Sequence, residues 1–180
     1  LSMLEDERRV PIYPDDLPAL SSDVLHQLVF EENYGKYFGV EDDYFREMTG
    51  NRCERREELF HNYRSFIIPK PVMADYGMMH EGSVCFGWIH SVQNCDVVDI
   101  ALQKKLTLIA WENMFVQTNR GKVHVFAANN ELAGYCSVNH ALLSRGIDGF
   151  YGAAKKIVVL SYGSVGKGAI YALQRNGYHD

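Results

Sequence analysis

Residues 155–173 constrain the fold more than any other stretch of this chain. Lys155-Lys156-Ile157-Val158-Val159-Leu160 is a β-branched, apolar run of the kind that forms a buried parallel strand. Ser161-Tyr162-Gly163-Ser164-Val165-Gly166 makes a glycine-bearing turn, and Ala169, Ile170, Ala172 and Leu173 follow at helical spacing. Strand, glycine turn and helix in that order bring a backbone close to a pyrophosphate and aim a helix N-terminus at it. Gly163 and Gly166 hold the second and third places of the G-x-G-x-x-G pattern, and Ser161 stands in the first. Ser161, Gly163, Ser164, Val165 and Gly166 are therefore the candidate dinucleotide contacts. An ordinary β-turn-α unit whose glycines serve packing is the alternative.

Upstream, apolar strands alternate with helical segments. A helix is expected at 41–48, ended by Gly50, and another at 55–63. Strands are expected at 65–68, 84–89 and 106–111, with a shorter candidate at Leu28-Val29-Phe30. A helix opened by Asn94 or Cys95 runs to Lys105. Asn130 can cap a helix carrying Leu132, Tyr135, Cys136, Leu142 and Leu143 and stopping at Gly146. Residues 121–128 read as a loop with a short apolar piece. Strands that alternate with helices imply βαβ units and a parallel sheet. The expected fold is α/β: a parallel-sheet, flavodoxin-like domain at 1–128, a linker helix and glycine-rich hinge at 129–152, and the start of a Rossmann domain at 153–180.

In open parallel sheets ligands bind beyond the carboxyl ends of the strands. Three consecutive strands here deliver a polar side chain at that point: Lys70, bracketed by Pro69 and Pro71, then His90, then Glu112 with Asn113. A histidine titrates near neutrality and relays protons; a lysine in a cleft holds a carbonyl oxygen or carboxylate. Glu112 is a candidate substrate contact. Arg9, in the mixed cluster Glu5-Asp6-Glu7-Arg8-Arg9, has the fork geometry to clamp a carboxylate. The seven histidines show no metal-ligand spacing, so no metal is expected.

The balance of 18 basic and 23 acidic residues, net −5 with no basic block, argues against nucleic acid as a partner. Cys53, Cys85, Cys95 and Cys136 form no C-x-x-C pair, which fits reduced thiols in the cytoplasm. No apolar run is long enough to span a bilayer, so no membrane partner is expected.

Several blocks, in order, carry a resemblance: Glu7-Arg8-Arg9-Val10-Pro11-Ile12-Tyr13-Pro14, Pro69-Lys70-Pro71, the segment from His80 to His90, Lys104-Lys105-Leu106 through Trp111-Glu112-Asn113-Met114, Asn130-Glu131-Leu132-Ala133-Gly134-Tyr135, and the Gly163 turn. With them the chain resembles the alanine dehydrogenase and transhydrogenase superfamily, and within it the branch that forms N-carboxyethyl derivatives of ornithine. The resemblance implies a two-domain, homo-oligomeric oxidoreductase using NADPH, or NAD, on a small keto acid and an amino acid. It implies that Lys70 and His90 are catalytic and that Arg9 binds a carboxylate. The implied reaction is reductive condensation of pyruvate with a side-chain amine. A dehydrogenase releasing ammonia is the second reading, and a truncated, non-catalytic binding module the third. The chain opens Leu1-Ser2 and closes at Asp180, where the next Rossmann strand should begin, so both ends are expected to be incomplete.

Overall fold

A computed structural model describes every residue except Glu5, Asp6, Arg120, Ala154 and Asp180. The chain divides into two compact units, Leu1–Glu112 and Asn113–Asp180.

The first unit opens with α1 (Ser22–Leu25), α2 (Asp42–Thr49) and α3 (Arg56–Asn62). Helix α2 buries Phe45 and Thr49, one turn apart, and ends where Gly50 takes a left-handed conformation (φ 75°) and donates to the Arg46 carbonyl. Phe45 is the centre of a cluster with Val10, Leu17, Leu25, Phe30 and Tyr34. The strand expected at 28–30 is not formed. Phe30 is instead buried in that cluster, and the segment makes a single bridge, Glu31 to Glu54.

Strand β1 (Ser65–Ile67), α4 (Met73–Met78), β2 (Val84–Gly87), α5 (Cys95–Gln103) and β3 (Thr107–Ala110) complete the unit. The three strands form a parallel sheet in the order β1-β2-β3, with Ile67 opposite Phe86 and Gly87 opposite Ala110. This level register sets the carboxyl ends of all three strands side by side. Cys85 is buried on one face among Phe60, Ile68, Tyr76, Met79, Ile89 and Val97. Successive residues point to opposite faces, and Phe86 meets the edge of Trp111, centroids 5.5 Å apart. Lys104, just past α5, donates from Nζ to the carbonyls of Tyr76 (3.1 Å), Gly77 and Met79 (2.8 Å), closing the end of α4. Asn94 caps α5 through the Asp96 N–H at 3.2 Å.

The second unit contains β4 (Phe115–Thr118), β5 (Gly121–His124), α6 (Ala127–Arg145) and α7 (Ser164–Arg175). Strands β4 and β5 form an antiparallel hairpin where a loop was expected after Gly121. Helix α6 starts ahead of Asn130, which lies inside it, and ends as expected at Gly146, with φ 61°. The two helices cross where Gly134 and Gly168 leave out their side chains. A Cβ at Gly134 would overlap the Val165 carbonyl, and one at Gly168 would overlap that of Glu131.

Residues 157–160 form no strand. Ile157 and Val159 sit against Leu142, Leu173 and Tyr178, while Val158 and Leu160 are 79% and 87% exposed. The two-residue alternation is present, but no described segment supplies the ladder partner that a strand requires. No helix among the described residues is long and apolar enough to cross a membrane.

Candidate functional site

The N-terminal segment that carries Arg9 lies along the first unit without belonging to its sheet. Val10 is buried in the Phe45 cluster. Tyr34 replaces a strand partner: its hydroxyl donates to the Ile12 carbonyl (2.9 Å) and accepts the Ile12 N–H (3.1 Å). Both polar groups of one main-chain residue are thereby satisfied, which holds the segment in place.

Lys70 follows β1 on a proline-bracketed strap whose anchor is Asp75. That carboxylate is wholly buried, accepts the Val72 N–H at 2.8 Å and receives the Arg56 guanidinium at 2.6 and 3.2 Å. Arg56 also pairs with Glu31 at 2.9 Å. Beyond the strap, the Pro69 carbonyl accepts the Trp88 N–H at 3.0 Å, tying the ends of β1 and β2 together. Gly87 permits this approach, since a Cβ there would overlap the Ile68 carbonyl.

Arg9 and Lys70 meet on one carboxylate, Glu7. Arg9 donates to it through Nε (2.7 Å) and a terminal nitrogen (2.5 Å), and Lys70 Nζ lies 3.3 Å away. The Glu7 side chain is only 6% exposed, whereas those of Arg9 and Lys70 are 39% and 36% exposed. The Arg9 hydrogen bonds hold the Glu7 carboxyl down at about 2, so it remains ionised. The same pairing raises the pKa of Arg9. The Trp88 ring supports Arg9 from its other side, 4.6 Å from the guanidinium carbon. Two cations against one buried anion leave one net positive charge, facing a cleft that Leu4, Tyr13, Tyr37 and Phe38 also line.

His90 stands two residues beyond Trp88, exposed, with φ 53°. This conformation is uncommon for a residue with a side chain, and the neighbouring strand supports it. Glu112, read from the sequence as a substrate contact, has both carboxylate oxygens on main-chain groups: the His90 N–H at 2.6 Å and the Ile89 N–H at 3.2 Å. The structure therefore groups the expected residues as two sets, Arg9 with Lys70 and His90 with Glu112. Trp88 leads from one to the other along the end of β2.

Glu7 is the member of the cluster to which the sequence reading assigned no role. The available signal was its spacing, since Glu7 and Arg9 fall on the same side of an extended segment.

In the second unit, Ser161 has φ 91°, the left-handed turn that a glycine would ordinarily make. Gly163 precedes the first turn of α7, and among the described residues a Cβ there would meet only the Ser161 hydroxyl, at 3.9 Å. At Gly166 a Cβ would come within 2.6 Å of the Ser161 carbonyl, so the turn closes only around a glycine.

The family model of the alanine dehydrogenase/PNT N-terminal domain matches residues 3–133. The chain belongs to that family. A curated relative, the N(5)-(carboxyethyl)ornithine synthase of Lactococcus lactis subsp. lactis, is 27% identical over 94% of this chain and 55% of its own length. The alanine dehydrogenase of Lysinibacillus sphaericus is 24% identical over 86% of this chain and 44% of its own. Among solved structures, an L-alanine dehydrogenase superposes on 98% of this chain and 51% of its own, with TM-score 0.68 and 19% identity. A transhydrogenase from Sinorhizobium meliloti matches 98% of this chain and 55% of its own, with TM-score 0.69 and 21% identity. The chain spans about half the length of the curated relatives it matches.

Proposed function

We propose that this chain is the keto-acid-binding part of an NAD(P)H-dependent oxidoreductase that condenses pyruvate with the side-chain amine of an ornithine-like amino acid. The observation that carries the reading is the Arg9–Glu7–Lys70 cluster at the carboxyl ends of a parallel sheet. Its single net positive charge suits one carboxylate, and the arginine fork and lysine suit the carboxylate and keto oxygen of a 2-keto acid.

The amine adds to the keto carbon, a proton moves from nitrogen to oxygen, and water leaves to give an imine. His90 carries these protons, since it is exposed at the strand end and can exchange with solvent. Lys70 and Arg9 hold the keto acid, Lys70 polarising the oxygen that departs as water. Glu112 is a positioning residue: it fixes the backbone of Ile89 and His90. A bound nicotinamide dinucleotide, NADPH or NADH, would supply the hydride for the reduction. The turn of Ser161, Gly163, Ser164, Val165 and Gly166 fits such a group, because it leaves backbone bare at the N-terminus of a twelve-residue helix. A cytoplasmic homo-oligomer is part of the same proposal, supported by four cysteines that form no C-x-x-C pair and by the habit of the superfamily.

An ammonia-using dehydrogenase is the second reading, favoured by the same single-carboxylate site. The test uses the full-length protein and follows NADPH and NADH oxidation with pyruvate plus ornithine, against pyruvate plus ammonium. A product heavier than ornithine by an N-carboxyethyl group supports the condensation; turnover to alanine with ammonium and none with ornithine refutes it.

A further inference from the structure

We infer that Arg8, with the exposed rings of Tyr37 and Phe38, forms a second carboxylate subsite in the Arg9–Lys70 cleft and takes the α-carboxylate of the amino-acid substrate. The inference rests on the condensation reading above and deepens it.

Arg8 and Arg9 are consecutive and line the same cleft, but they are used differently. Arg9 gives Nε and one terminal nitrogen to Glu7 and keeps the other terminal nitrogen for the keto acid. Arg8 has no carboxylate partner among the described residues, and its guanidinium lies over the Tyr37 ring, 5.2 Å from the centroid. An arginine stacked on an aromatic ring keeps its fork of donors free at the edge.

The aromatic wall is held in place by its own loop. Tyr37 and Phe38 are 58% and 38% exposed on a single 3₁₀ turn between Gly35 and Gly39. Asn33 precedes it with φ 62°, and its N–H is held by the Asp42 carboxylate at 2.9 Å. Gly35 is buried so closely against Val40 that a Cβ would overlap the Val40 carbonyl, and Gly39 turns back with φ 68°. Phe38 also meets the edge of Tyr13, with centroids 5.3 Å apart. Two left-handed residues and a close glycine contact hold these rings out toward the cleft, where burying them would be the ordinary outcome.

Substrate chemistry gives this arrangement a use. A dehydrogenase working with ammonia has one carboxylate to hold, and the Arg9–Glu7–Lys70 cluster supplies the one net positive charge it needs. Condensation with a diamino acid brings a second carboxylate, separated from the reacting amine by a methylene chain. Arg8 is the second cation, and Tyr13, Tyr37 and Phe38 offer apolar surface to the methylenes.

The test compares two amines in the full-length protein at saturating pyruvate and NADPH: ornithine, and 1,4-diaminobutane, which keeps an amine and methylene chain but lacks the carboxylate. The unaltered protein should prefer ornithine. In Arg8→Ala the ratio of the two kcat/KM values should fall by on the order of tenfold to a hundredfold, the worth of a charge-assisted hydrogen bond. Arg8→Lys should keep part of the preference. Arg8 is exposed, so neither change removes a buried contact. An unchanged ratio in Arg8→Ala overturns this inference alone. Turnover of the unaltered protein with ammonium but with neither amine overturns the condensation reading, and the inference with it.

Discussion

Glu7 is the residue that joins Arg9 and Lys70 into one cluster. Its carboxyl is held at about 2 against an ordinary 4.5, mainly by the hydrogen bonds from Arg9. A carboxyl depressed in the folded state contributes stability that is complete above its unfolded value and is lost as pH falls toward the folded one. Glu7→Gln should therefore lower stability at neutral pH, by on the order of 2 kcal/mol. The deficit should shrink between about pH 4.5 and 2, the window set by the two values. Urea unfolding of the two proteins across that range checks it; a deficit independent of pH would contradict it. Ser161 makes an opposite case. Its φ of 91° is strained for any residue with a Cβ, so Ser161→Gly should stabilise the turn by about 1 kcal/mol, measurable as a higher midpoint in chemical unfolding. The placement of Lys70, His90 and Glu112 at strand ends was legible because each follows a strand, and strand ends in a parallel sheet converge whatever the side-chain details. The burial of Glu7 depends on how the N-terminal segment lies on the sheet, which no local pattern specifies.

At the scale of elements, β1, β2, β3 and the helices α2, α5 and α6 were readable because each has the right period, and the helices an end signal as well: Gly50 for α2, Asn94 for α5, Gly146 for α6; the short α4 went unread. The failures share a physical cause. Residues 28–30 and 157–160 have strand-like composition, but a strand exists only with a ladder partner, and composition says nothing about partners. The β4–β5 hairpin went unread because its strands are largely exposed and lack a consistent apolar face. Two element-level contacts should be sensitive to single changes. Gly168→Ala puts a methyl into the Glu131 carbonyl and should separate α6 from α7, costing about 1–3 kcal/mol in the unfolding of the second unit. Asp75→Asn leaves the Arg56 guanidinium without its buried partner and frees the strap that carries Lys70. A loss of about 3–5 kcal/mol is expected in equilibrium unfolding, and a cost under about 1 kcal/mol would mean the strap is held by other contacts.

Taken whole, the molecule is a family member that carries the Arg9–Glu7–Lys70 cluster, His90 and Glu112 on one unit and the Ser161–Gly166 turn on the other. On the first unit, each candidate group is supported by a neighbour. Trp88 lies under Arg9, Asp75 anchors the Lys70 strap, and Glu112 fixes the backbone at His90. That division between reacting groups and their supports is what a preoriented site requires. The most direct test is the rate of pyruvate-dependent NADPH oxidation by the full-length protein and by its His90→Asn variant at saturating substrates. A proton carrier is worth roughly 10²–10⁴ in rate, so His90→Asn should lose that much in kcat while still binding pyruvate. A variant that turns over within a few fold of the unaltered protein would show that His90 is not the group that moves the proton, and would contradict the account.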